Sequence, residues 1–512
     1  MTRILAVIIM ITLSTSAALA EGLIEIARMT VADNRVKDVK IVVGGALGGT
    51  FSINGVRQTI ESINKTRTFM VDVSSDKTII IESESASNLI YMDCNNSSLT
   101  SLDVSDCDAL MYLYCNNNLL TALDMSGCTA LTELLCYNNS LASLDVSGLD
   151  ALESLFCNDN LLTSLDISGC DALMYLYCND NLLTSLDVSG CSCLIYISCN
   201  DNFLTSLDAS DCTALVELSC YNNLLTALDV SSFDRLVYLY CSNNSLMALD
   251  LSGCYTLQEL YCINNSLTYL NISGCDALQV LSCPNNSLTS LDVSGFSNLE
   301  SISCSHNSLT SLDLSGCSEL QTLSCSDNSL ASLNVSGCIA LVELYCRNNL
   351  LTSLDVSDCN LLEMLYCEDN LLESLNVSGC DALAYLSCFN NSLISLDISS
   401  CYALWTLHCE NNSLTSLKAS NLDALRHLFC SDNSLISLDI SGCTDLRYVK
   451  AENQTAVVNV LSDYNGIDYY ISFNGEAYAV DNDGTFTIDL PATITNRTSF
   501  SGTYTIVHNA GD

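Results

Sequence analysis

From Leu89 to Asp445 the apolar positions return every 21 residues, with no insertion or deletion. Counting one unit from Leu173, they fall at places 1, 4, 6, 11, 14, 16 and 19: Leu173, Leu176, Cys178, Leu183, Leu186, Val188 and Cys191. A column of cysteines at place 6, stepping by 21 from Cys94 to Cys430, sets the register of 17 turns. A fixed period of this size predicts a stacked solenoid, each turn burying its apolar face on the next. Leu176 and Cys178 are apolar two apart, and so are Leu186 and Val188 ten residues later. That step marks a short strand with one buried face. The stretch between is too short, too β-branched and too rich in turn residues for a helix. The expected fold is mainly β: a solenoid of about 17 coils with two parallel β ladders and few or no helices, capped by small β segments at both ends.

The motif Leu-x-x-Leu-x-Cys-x-x-Asn-x-Leu, as it stands from Leu173 to Leu183, resembles the leucine-rich repeat. The 21-residue length, the cysteine at place 6 and the following Leu-Asp-Val-Ser resemble a short bacterial subclass, distantly similar to internalins. The resemblance covers about 357 of 512 residues. It implies a solenoid whose first strand lines one broad face, commonly a binding face, but implies no particular ligand.

The flanks depart from the period. Residues 1–20 read as a signal peptide: Arg3, an apolar run from Ile4 to Leu13, and Ala18-Leu19-Ala20 before Glu21. No other run is long enough to cross a bilayer as a helix, so the mature chain is expected to be secreted or held at the cell surface without an integral membrane segment. Residues 21–88 carry short β-branched runs (Val39 to Val43, Thr50 to Asn54, Thr68 to Val73, Thr78 to Glu82) broken by Gly44-Gly45, Gly48-Gly49 and Asn54-Gly55. They read as an N-terminal β cap over the open apolar end of the first turn. The solenoid is assigned to 89–450. Residues 451–512, with five strand-like runs and turns at Asn474-Gly475 and Asp483-Gly484, read as a C-terminal β cap or small β module.

Charge enters next. With 16 basic and 59 acidic residues the formal charge is −43, which disfavours nucleic acid and anionic membranes as partners. Much of it is a column, since place 15 is Asp in 13 of 17 turns. These carboxylates are expected to accept backbone N–H groups in their own turns. A calcium ladder is the competing reading, weakened by Lys418, Asn271, Asn334 and Asn376 in the same column. Place 17 is Ser throughout, a turn-bonding hydroxyl rather than a nucleophile, for no His recurs beside it. The 31 cysteines are expected to be buried thiols. Stacked neighbours sit about 4.8 Å apart, beyond the disulfide optimum, and no Cys-x-x-Cys pairs point to zinc. No cofactor, metal or catalytic constellation is expected, and the chain reads as a non-enzyme.

Places 3 and 5 flank the buried leucine at place 4 and form the outer face of the first strand. Tyrosines concentrate there, with Tyr91, Tyr112, Tyr114, Phe156, Tyr175, Tyr177 and Tyr196, then Tyr238, Tyr240 and Tyr261 beside Glu217 and Glu259. A bland stretch follows (Ser282, Ser301, Ser303, Thr322, Ser324), and a last group holds Tyr345, Tyr366, Tyr385, Trp405, His408, His427 and Phe429. Rigid aromatic stripes favour contact with a protein or carbohydrate ligand, although tyrosine also stacks along a ladder for its own sake. The expectation is a monomeric adhesion or recognition protein binding through this face. A passive structural rod or envelope component is the alternative, followed by an ice- or mineral-binding surface built on Thr100, Thr163, Thr184 and Thr205.

Overall fold

The computed structural model describes residues 23–32, 39–45, 49–60, 65–71, 77–452 and 454, and the backbone of five strands between 459 and 508. The segment 1–20 read as a signal peptide and the turns expected at Asn474-Gly475 and Asp483-Gly484 lie outside the described residues. Two compact units divide the chain, Met1–Leu257 and Gln258–Asp512. Both are built from the 21-residue coil, and the described residues hold no α-helix, only a single 3-10 turn at Ala86–Asn88.

Within each unit, places 3 to 5 of the turns form short strands, three residues long after the first turn, paired in parallel and in register with the same places of the next turn. Ser154–Phe156 pairs with Tyr175–Tyr177 in the first unit, and Met364–Tyr366 with Tyr385–Ser387 in the second. The bonding runs on past the strand: Cys157 N–H donates to Tyr177 O at 2.8 Å and Asp159 N–H to Asn179 O at 3.0 Å. The second ladder is thinner. It survives as short pairs such as Ser353–Asp355 with Ser374–Asn376, and elsewhere as single bridges such as Asp145 with Asp166.

Asparagine at place 9 ties adjacent turns from inside. Asn202, 5% exposed, donates its amide to Cys199 O at 3.2 Å and Asn200 O at 3.0 Å in its own turn, and to Cys178 O at 3.1 Å in the turn before. Its Oδ1 accepts Leu183 N–H at 2.9 Å. The same pattern holds at Asn160, Asn370 and Asn433. Each amide thus satisfies buried backbone groups of two coils that the bend leaves without ladder partners.

Two columns make the bends. Place 8 lies in the left-handed region in every turn, with φ between 51° and 56° from Asn96 to Asp432. Asn or Asp occupies it, His306 excepted, because their short polar side chains tolerate that conformation best after glycine. At place 15, aspartate accepts the backbone N–H of place 17, as Asp187 does from Ser189 at 2.9 Å. Asn271, Asn334 and Asn376 make the same bond, so the column is turn chemistry that an amide serves equally. The N–H and hydroxyl of Ser210 hold the Asp208 carboxyl below the ordinary carboxylate range. Gly169 at place 18 has φ +79°, and a Cβ there would lie 3.1 Å from Gly148 Cα.

All 31 cysteines are free thiols; every one at place 6 is buried and only Cys193 is exposed. Burial pushes the Cys136 and Cys199 thiols up to about 12. At place 19 the thiol also donates to the place-16 carbonyl of the turn before, as Cys170 does to Val146 O at 3.2 Å and Cys317 to Val293 O at 3.2 Å. A weak S–H donor inside an apolar column explains why cysteine leads Leu149 or Phe233 there.

Strands cover the ladder edges at the start of the first unit. β1 (Ile24–Val31), β2 (Val39–Gly45), β3 (Thr50–Ile53), β4 (Val56–Thr59), β5 (Thr66–Val71) and β6 (Thr78–Ser83) precede β7 (Leu89–Asp93) and β8 (Leu99–Asp103) of the first turn. β1 runs antiparallel to β8 and β2 antiparallel to β7, so each ladder is closed by one strand. Asn54 and Gly55, both at positive φ, turn β3 into β4. The strand read as Thr68 to Val73 begins at Thr66, opposite Gly44 of β2, and Asp72 and Val73 lie outside the described residues. In the second unit the first ladder takes Tyr470–Phe473 on Tyr448–Lys450 and then Glu476–Ala479 antiparallel, while the second takes Asn459–Ser462 on Ser437–Asp439, then Tyr504–His508 in parallel and Thr487–Ile488 antiparallel.

Two predictions follow from these columns. Asn202→Ala leaves the buried Leu183 N–H without a partner, whereas the Cys178 and Cys199 carbonyls keep the amides of Asn181 and Asn223, so equilibrium denaturation should show a loss of about 1–3 kcal/mol. A loss under about 1 kcal/mol would mean that water replaces the amide. Intact-mass analysis after N-ethylmaleimide should find one rapid adduct on the native chain, at Cys193, against 31 after denaturation.

Candidate functional site

The pleat decides which side chains reach the outer face of the first ladder. Leucine at place 4 points inward and is fully buried in turn after turn, as Leu155, Leu176 and Leu365 show. Places 3, 5 and 7 therefore point outward together. The tyrosines and phenylalanines expected at places 3 and 5 lie on this face, half-buried except for Tyr175, which is 38% exposed.

In the first unit Tyr91, Tyr112 and Tyr114 form a cluster, with the Tyr91 and Tyr114 ring centres 5.3 Å apart at an edge-to-face angle of 81°. Tyr114 Oη donates to Glu133 Oε2 at 3.2 Å. Burial, then the carboxylate of Glu133, push the Tyr114 phenol up, and burial pushes the Glu133 carboxyl up in turn. Phe156, Tyr177 and Tyr196 stack in consecutive turns at 4.4 and 4.6 Å, and Tyr238 lies 6.5 Å from Tyr240.

The second unit carries a longer column. Tyr345, Tyr366 and Tyr385 stack at 4.9 and 4.8 Å, Tyr385 meets His408 at 5.8 Å, and His408 stacks on Phe429 at 4.3 Å and 4°. The column crosses from place 5 to place 3 at Tyr385, whose turn has the buried Ser387 at place 5. Tyr345 Oη donates to Glu343 Oε2 at 3.0 Å; burial, then that bond, push its phenol up to about 12. Tyr261 is also half-buried on this face, and Trp405, at place 2, is 45% exposed beside it.

Stacking and exposure are thus both present. The rings meet face to face along the column, which leaves edges and hydroxyl groups to a ligand. No group of three or more His, Cys, Asp or Glu side chains is set to hold a metal among the described residues. No described helix is long and apolar enough to cross a membrane.

Two features of the surface escaped the sequence reading. At place 10, Leu161, Leu182, Phe203 and Leu224 are 40–50% exposed in four successive turns. The Leu-Leu and Phe-Leu doublets contain them, but only the second member of each fits the inward pattern. At place 7, where Asn and Ser prevail, Glu368 and Glu410 each keep a buried carboxylate oxygen with no hydrogen-bond partner.

The sequence matches no family model and no curated protein. Among solved structures the chain is similar to YopM from Yersinia enterocolitica, at 24% identity over 75% of this chain and 91% of that one, with a TM-score of 0.56. The PEPR1-AtPEP1 structure is similar at 18% identity over 70% and 68%, with a TM-score of 0.51. The functional domain of InlJ from Listeria monocytogenes, described as including a cysteine ladder, shares 27% identity over 77% and 79%, with a TM-score of 0.48. Inward leucines, the asparagine at place 9 and a first-strand ladder along one face, together with the likeness to YopM, identify the leucine-rich-repeat fold in this chain.

Proposed function

We propose that this is a secreted or cell-surface leucine-rich-repeat protein that binds a protein ligand through the aromatic columns of its first-strand face. One observation carries the reading: tyrosines stay half-exposed at places 3 and 5 on both sides of a fully buried leucine, grouped into columns with a bland serine stretch elsewhere. A frame held by repeated backbone and asparagine bonds presents these side chains at little entropic cost on binding, and tyrosine supplies large contact area with a polar tip. The fold shared with YopM and the PEPR1-AtPEP1 structure is in keeping with a repeat protein that interacts with other proteins.

Sugar rings favour an open aromatic face, whereas Phe156, Tyr177 and Tyr196 turn their faces to one another. Protein contact through ring edges and hydroxyls is therefore the preferred reading, with glycan binding second. Export rests on the segment from Met1 to Ala20.

A binding screen of residues 21–512 against host-type proteins and glycans tests this, with a matched variant carrying Tyr112→Ser, Tyr114→Ser, Tyr175→Ser and Tyr177→Ser. A ligand captured by the parent and bound at least tenfold more weakly by the variant, at similar thermal stability, is the expected outcome. Equal binding by both would move the site off this face.

A further inference from the structure

Place 7 sits on the outer face beside the aromatic column, and small polar side chains usually fill it without leaving an unmet group. In the second unit Ser305 and Ser324 share a hydrogen bond at 2.8 Å, and Ser431 Oγ accepts Glu452 N–H at 3.0 Å. In two turns the same place holds a glutamate, Glu368 and Glu410, on either side of Phe389. The Glu368 side chain is only 5% exposed, and its Oε1 lies 4.0 Å from Arg347 Nη1. Its Oε2 has no hydrogen-bond partner. Glu410 has its Oε1 3.3 Å from His408 Nδ1, and its Oε2 likewise has none.

A buried carboxylate oxygen without a partner is costly. The coil does not need it, since serine serves at the same place in other turns, at Ser305, Ser326 and Ser431. Burial pushes the Glu368 carboxyl up, although its own backbone N–H, the Ser387 hydroxyl and Arg347 pull the other way. Arg347 does not complete the pair, for its contact is long and its own side chain is 56% exposed. Beside the two carboxylates run the rings of Tyr366, Tyr385 and His408. Such a wall suits the apolar stem of a long basic side chain, whose head the carboxylates would then bind. The net charge of −43 also draws cations towards the protein.

We propose that Glu368 and Glu410, with the ring column of Tyr366, Tyr385 and His408 beside them, each receive the guanidinium or ammonium group of one basic side chain in a basic segment of the partner protein. This rests on the first-strand face being the binding face and names what that face selects.

The test uses the full chain and a fluorescently labelled Gly-Arg-Gly-Arg-Gly peptide, read by anisotropy at physiological salt. Four proteins are compared: the parent, Glu368→Gln/Glu410→Gln, Tyr366→Ser/Tyr385→Ser, and a charge-matched control, Asp292→Asn/Asp313→Asn. The control keeps its turn bonds, because asparagine makes them at Asn271. Expected are a loss of at least tenfold in affinity for the glutamate variant, less than twofold for the control, and an unchanged or higher Tm for Glu368→Gln/Glu410→Gln. Equal losses in the glutamate variant and the control would reduce the effect to bulk charge and overturn the proposal. So would a parent that does not bind the peptide, or a lower Tm showing the two glutamates to be structural groups. A protein ligand lost by the tyrosine variant yet retained by the glutamate variant would leave the face reading standing and sink this one.

Discussion

The asparagine at place 9 is the interaction on which the other features depend. Its amide reaches a carbonyl three residues back and another twenty-four back, and its oxygen accepts an N–H nineteen back, as Asn181 shows with Cys178, Cys157 and Leu162. All three separations presuppose a coil of one length. A turn with an added residue would misplace both ends of the bond and strand buried backbone groups, each costing about 1–3 kcal/mol. The unvarying 21-residue period is thus a hydrogen-bonding constraint as much as a packing one.

That constraint divides the columns by task. Places 1, 4, 6, 11, 14, 16 and 19 fill the interior, with thiols acting as small apolar groups. Places 8, 15, 17 and 18 shape the bends. Among the places that remain, the outward set 2, 3, 5, 7 and 10 carries the aromatic columns, the unpartnered glutamates and the exposed leucines.

The apolar schedule made the coil, the first ladder and the outward direction of Tyr177 or Tyr366 legible from sequence, because inward and outward positions alternate in a strand. Other features were hidden for physical reasons. The second ladder is reduced to short pairs and bridges, several of which set one aspartate directly against another, as Asp187 against Asp208. Like charges opposed in this way weaken a strand pair, and a pattern of apolar residues does not register that cost. The left-handed bend at place 8 was written as an Asn or Asp column yet could not be separated from the neighbouring asparagine that holds the coils together. Stacking between Tyr385 and His408 depends on Ser387 being small, a relation across turns that no single unit displays.

Because the bonds of the coil stay within its own turn or run to the turn before or after it, a whole turn is exchangeable. Removing or duplicating 21 residues within either unit would leave each remaining asparagine with equivalent carbonyls and each β strand with an equivalent partner. Such an array can change its length in steps of one coil while its closing strands, such as β1 and β2, keep their seats on the first turn. The reach of the outward face, and how many contacts a ligand makes at once, is then set by the number of coils rather than by the chemistry of any one of them.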